Sequence, residues 1–86
     1  MSIENYRIEI DEIDQLMIEL FKKRMHVAKK IGEYKKANLL PIIDLKRETE
    51  ILLNRKNQLN DEKLWPYLEI FIKQIFELSK AYQHDE

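Results

Sequence analysis

The chain has 86 residues, with 15 lysines and arginines against 16 aspartates and glutamates and a net charge of −1. No sequence-wide basic field exists to attract nucleic acid, and no run approaches the ~18 consecutive apolar residues of a membrane span. Cysteine is absent, which removes disulfides and thiolate metal sites, and the two histidines, His26 and His84, lie far apart, so no metal site is expected.

The first element predicted by periodicity runs from about Ile3 to about Asn38. Apolar residues return at Ile3, Tyr6, Ile10, Ile13, Met17 and Leu20, then at Val27, Ile31 and Tyr34. This is a heptad-like seam sustained over nearly five heptads. At 1.5 Å per residue the helix would be roughly 50 Å long. A compact chain of this size has a radius of gyration of about 12 Å. The remaining residues are too few to cover such a rod, and a second copy of the chain is the simplest cover. Small domains without disulfides commonly need such help.

The stretch "NLLPIIDLKRE" breaks the helix. Pro41 blocks continuation and Asn38 is a suitable end. Asp44 is a credible N-cap for a second helix over about Leu45 to Gln58. "NQLNDEKLWP" is the next break, where Asn60 or Asp61 can cap a third helix with Pro66 in or near its first turn. Its seam is Leu64, Leu68, Phe71, Ile75, Leu78 and Tyr82. It should end near Gln83, with His84 to Glu86 frayed. Composition and pattern give one all-α domain spanning residues 1–86, built from one long, one short and one medium helix. The acidic N-terminus does not resemble a signal peptide, and the expected location is cytoplasmic.

Polar residues on the apolar faces carry the functional signal. Arg24 stands where the seam between Leu20 and Val27 requires an apolar residue. A buried arginine needs a partner: either a carboxylate on another helix, such as Asp44 or Glu48, or a ligand. Lys35 lies eleven residues on, within about 20° of the same direction and roughly 16 Å along the axis. Two cations so placed can hold a small dianion, although a lone lysine there is ordinarily a surface residue. Arg7 is about 25 Å from Arg24 and turned by about 100°, so it reaches the same small ligand only from another chain. Asp44, Arg47 and Glu48 crowd the start of the second helix, which alone reads as a cap with a solvated charge cluster. Ser79 and Gln83 lie one turn apart beside Leu78 and Tyr82. No Ser-His-Asp arrangement, Gly-rich phosphate loop or metal cluster is present. An enzyme of this kind would need neither nucleophile nor cofactor.

The stretches "YRIEIDEIDQLMIELFKKRMHVAKKIGEYK", "PIIDLKRETEIL" and "IFELSKAYQ" resemble the all-helical class of chorismate mutase across essentially the whole chain. The family pattern R-x-x-x-A-x-x-[IV]-[GA]-x-x-K falls on Arg24 to Lys35, and P-[IV]-x-D-x-x-R-E on Pro41 to Glu48. The resemblance implies an intertwined homodimer in which each site borrows Arg7 from the partner chain. It implies a Claisen rearrangement of chorismate to prephenate, on the route to phenylalanine and tyrosine, by a free-standing mutase or a mutase module. It also implies roles. Arg24 and the second chain's Arg7 would grip the substrate carboxylates, and Lys35 and Gln83 would donate to the ether oxygen. Glu48, with Asp44, would take the ring hydroxyl, and Arg47 and Ser79 would support a carboxylate. Ile31, Ile51 and Ile75 would form walls. Alternative readings are an isochorismate pyruvate lyase on the same fold, or a non-catalytic module that dimerises or senses prephenate or chorismate.

Overall fold

The computed structural model describes residues 2–84 and contains three helices: α1 (Ile3–Ala37), α2 (Leu45–Leu59) and α3 (Trp65–His84). The all-α class and the order long, short, medium agree with the periodicity, and each boundary falls within a few residues of its expected place. His84 is still helical, and the expected fraying of Asp85 and Glu86 lies outside the described residues.

The caps follow from local chemistry. At the start of α2, Arg47 N donates to Asp44 Oδ1 at 3.0 Å, which satisfies one of the orphan amides of the first turn. Before α3, Asp61 Oδ1 accepts from Lys63 N and Leu64 N, both at 3.0 Å, in a turn that leads into the helix at Trp65. The end of α1 is tighter. Leu40 N donates to Lys35 O at 2.8 Å and Leu39 N to Lys36 O at 3.3 Å. This paired closure is a Schellman turn. It forces Leu39 to φ 56°, a left-handed conformation normally given to glycine. Leu39 is 92% exposed, so no packing of its side chain offsets that strain.

α3 is the central element. It packs against both α1 and α2, while among the described residues the backbones of α1 and α2 do not approach each other closely. The core is correspondingly thin: among the described residues its buried members are Ala28 and Gly32 from α1 and Ile72, Phe76 and Ser79 from α3. The α1–α3 approach depends on Gly32. A Cβ there would lie 2.9 Å from both Cβ and Cγ of Gln83 and 3.2 Å from its Cα. The last of these is backbone and cannot swing aside.

The N-terminal two-thirds of α1 projects beyond this core. Every residue from Ile3 to Arg24 is exposed. Ile3, Tyr6, Ile10, Ile13, Met17 and Leu20, the expected seam, are all 47% exposed or more. The radius of gyration is 16.0 Å, with extents of 55 × 29 × 15 Å, against about 12 Å for a compact chain of this length. Among the described residues no helix is long and apolar enough to cross a membrane.

Two stability outcomes follow from the two backbone constraints. Leu39→Gly should raise stability by about 1 kcal/mol through relief of the left-handed strain, read as a higher urea midpoint at unchanged m. Gly32→Ala should lower the midpoint. An exposed helix would gain ~1 kcal/mol from that change, but overpacking against Gln83 costs about 1–3 kcal/mol.

Candidate active site

A cavity of about 330 Å³ lies between the C-terminal half of α1, α2 and α3. That is the lower end of the ~300–1,000 Å³ typical of small-molecule sites. Seven of the eight residues singled out in the sequence line it: Arg24, Lys35, Asp44, Arg47, Glu48, Ser79 and Gln83. Arg7 does not. It sits on the projecting part of α1, where its guanidinium pairs with Glu4 at 2.8 Å in solvent. Such an exposed i,i+3 pair is weak and readily exchanged.

Helix direction explains how the polar groups converge. α1 supplies Arg24 one turn before Ala28 and Lys35 beyond Gly32. α3 supplies Ser79 and, one turn later, Gln83. Arg24 Nη1 donates to Ser79 Oγ at 2.8 Å, and Ser79 is buried. No carboxylate meets Arg24 among the described residues, so the salt bridge to Asp44 or Glu48 considered from the sequence does not form. Nor is Arg24 sealed in the seam, since it remains solvent-accessible in the single chain. Its pKa is lowered, first by desolvation and then by the like charge of Arg55.

At the other end of the cavity, Lys35 Nζ donates to the Ile42 carbonyl at 2.8 Å. The Schellman turn brings that carbonyl back over α1, so the loop strained at Leu39 is also what orients Lys35. Gln83 holds the clearest unfilled demand. Its Oε1 is buried without a hydrogen-bond partner. A half-turn of the amide presents its N–H instead. In either orientation a buried amide atom lacks a partner, at a cost of about 1–3 kcal/mol until something binds it.

Two lining cations were not anticipated. Lys80 bridges Glu48 at 3.3 Å and Glu77 at 3.0 Å. The Glu77 hydrogen bond is the main cause of its raised pKa. Arg55 enters from α2, half-buried. Sequence spacing held the signal for both. Arg55 follows Glu48 by seven residues and Ile51 by four, and Lys80 follows Phe76 by four, which is helical neighbour spacing. The apolar walls include Ile31 and Ile51 as expected, but Phe76 takes the place expected of Ile75. Phe76 is buried and faces the cavity, whereas Ile75 is one residue round the helix.

The lining thus carries five cations, Arg24, Lys35, Arg47, Arg55 and Lys80, against two carboxylates. Both carboxylates are occupied, Asp44 as a helix cap and Glu48 with Lys80. In a chain of net charge −1, this concentrates positive potential in one partly apolar cleft. The arrangement suits a small organic anion.

Comparison with known proteins places this helical chain in a family. The chain belongs to the chorismate mutase type II family, whose model matches residues 6–84. That family is a family of isomerases. The chain is 34% identical over 55 residues to the T-protein of Haemophilus influenzae (strain ATCC 51907 / DSM 11121 / KW20 / Rd), a match covering 64% of this chain and 15% of that protein. The chain therefore spans a small part of the length of this curated relative. No solved structure matches significantly.

Gly32→Ala should also report on the site. The added methyl displaces Gln83, so affinity for any ligand that pairs with the Gln83 amide should fall about tenfold, an effect of about 1.4 kcal/mol. Ligand titration of a variant that still shows the parent helical circular-dichroism signal measures it.

Proposed function

We propose that the chain catalyses the rearrangement of chorismate to prephenate, within a homodimer whose second copy completes each site. The observation that carries the reading is the cationic cleft containing the unpartnered Gln83 amide, in a chain of the chorismate mutase type II family.

The reaction is intramolecular and pericyclic. The bond from carbon to the ether oxygen breaks as a carbon–carbon bond forms, with no proton transfer and no covalent intermediate. Catalysis then reduces to two tasks. The first is to hold the substrate in its folded, reactive conformer, which lowers the entropic part of the barrier. Arg24, supported by Ser79, and Arg47 serve this role by gripping carboxylates, for which the forked guanidinium is suited. Glu48, with Asp44, accepts from the ring hydroxyl. The second is to stabilise negative charge growing on the ether oxygen. Lys35 and Gln83, donors oriented by the α1 turn and by Gly32, serve there. Because they are positioned before the substrate arrives, little reorganisation is needed in the transition state.

Arg7 enters this scheme through the second copy. Its own chain leaves it away from the cleft, and the exposed seam of α1 supports a crossing of two first helices. The unit proposed is the whole of residues 1–86. The proposed setting is the cytoplasm, within aromatic amino-acid biosynthesis. The Glu48–Lys80 pair supports the mutase over an isochorismate pyruvate lyase, because it holds a carboxylate in place for a hydroxyl donor.

The test is a continuous ultraviolet assay of chorismate loss without added metal or cofactor, with products separated by chromatography. The expected product is prephenate. Pyruvate released from isochorismate, with no reaction of chorismate, would assign the lyase instead. Tight binding of chorismate or prephenate by the folded chain without turnover of either substrate would assign a sensor. Arg24→Ala should lower kcat/KM by about 10²–10³-fold while the helical signal is kept.

A further inference from the structure

Arg55 has no role in the scheme above, yet it faces the same cleft. It stands on the cavity side of α2, two turns beyond Glu48, and is half-buried there. Because α2 runs opposite to α1 and α3, this position lies at the Arg24–Ser79 end and away from Lys35. Arg24 feels its charge. Neither guanidinium has a carboxylate partner among the described residues, and the two lining carboxylates are engaged elsewhere. Two like charges drawn together beside an apolar wall repel, and burial weakens their hydration. Such a pair is relieved by an anion placed between them. Two guanidinium planes offer one carboxylate more donors than a single arginine can direct at it.

We propose that Arg55 is a substrate-binding residue that closes on the same carboxylate as Arg24, forming a two-arginine clamp within one chain. The inference rests on the proposed function for the identity of the substrate, but not for the existence of the anion site. The clamp fixes one carboxylate at the Ser79 end of the cleft and leaves the Lys35–Gln83 end to the rest of the ligand. It therefore favours dianionic ligands over their monoacid analogues. Since Arg55 grips the carboxylate equally before and during reaction, its contribution falls on KM rather than kcat.

Two arms test it. In the intact, unmodified chain, the side-chain Nε–H signals of Arg24 and Arg55 are followed by nitrogen-15 NMR during titration with malonate. Saturable shifts of both signals with one common dissociation constant are expected. A shift at Arg24 alone, or at neither, overturns the clamp. In the second arm, Arg55→Gln should raise KM for chorismate about tenfold with kcat changed less than about threefold, and Arg55→Lys should recover part of the loss. A KM within twofold of the parent overturns the proposal. So does a loss of self-association with unchanged KM, which would give Arg55 to a carboxylate of a second copy. If the parent protein leaves chorismate untouched, the proposed function fails, and the malonate arm alone still decides whether the clamp exists. The same arm decides it if Arg55→Gln does not fold.

Discussion

The rest of the structure depends on one mismatch of length: α1 is far longer than the two helices available to cover it. Among the described residues α3 is the only helix that packs on α1, and the buried stretch of α1 is that around Ala28 and Gly32. Everything from Ile3 to Arg24 is exposed, with large apolar residues along it. At about 25 cal/mol per Å² of apolar surface removed from water, covering this seam is the largest stabilisation the single chain leaves unrealised. Contiguous apolar surface on this scale marks an interaction face. In the homodimer proposed above, a second copy that closes the surplus length of α1 would bring its own Arg7 to this cleft, so one constraint would serve both assembly and the site.

The cleft itself is organised by three backbone devices. Gly32 sets the distance between α1 and α3 and so sets where Gln83 points. The Schellman turn at Leu39 and Leu40 returns the chain over α1 and supplies the Ile42 carbonyl that holds Lys35. Asp44 starts α2 so that Arg47, Glu48, Ile51 and Arg55 share its inner face. None of these devices is catalytic. Each converts local chain geometry into the placement of a charged or polar group. The unpartnered Oε1 of Gln83 lies in the lining of the ligand space, where stored cost is commonly tolerated for function.

Much of this was legible in the sequence, for identifiable reasons. The three helices follow from long periodic runs broken by Pro41 and by the Asn60–Asp61 turn, and the Asp44 cap follows from its place before an apolar face. Arg24 was conspicuous because a charge interrupts a heptad seam. What sequence could not supply was pairing. It offered Asp44 and Glu48 as partners for Arg24, whereas packing gives Arg24 to Ser79 and Glu48 to Lys80. Arg55 and Lys80 carry no such conspicuous signal, because a lysine or arginine on a helix ordinarily faces solvent. Only the packing of α2 on α3 turns Arg55 toward the cavity. The single stripe of the α3 seam points to Ile75, while packing on two sides, with α1 and with α2, widens the buried face to include Phe76.

The central claim is that one cleft needs residues from two chains, and hybrid assembly tests it most directly. Arg7→Ala and Arg24→Ala chains, each inactive alone, are mixed under conditions where subunit exchange is confirmed by mass spectrometry of differently tagged copies, and chorismate turnover is measured. Shared sites predict recovery: half of the chains enter hybrids, each with one site free of both substitutions, so about one quarter of the parent activity should return. Absence of recovery despite confirmed exchange would contradict the account and leave each cleft to work with the residues of its own chain.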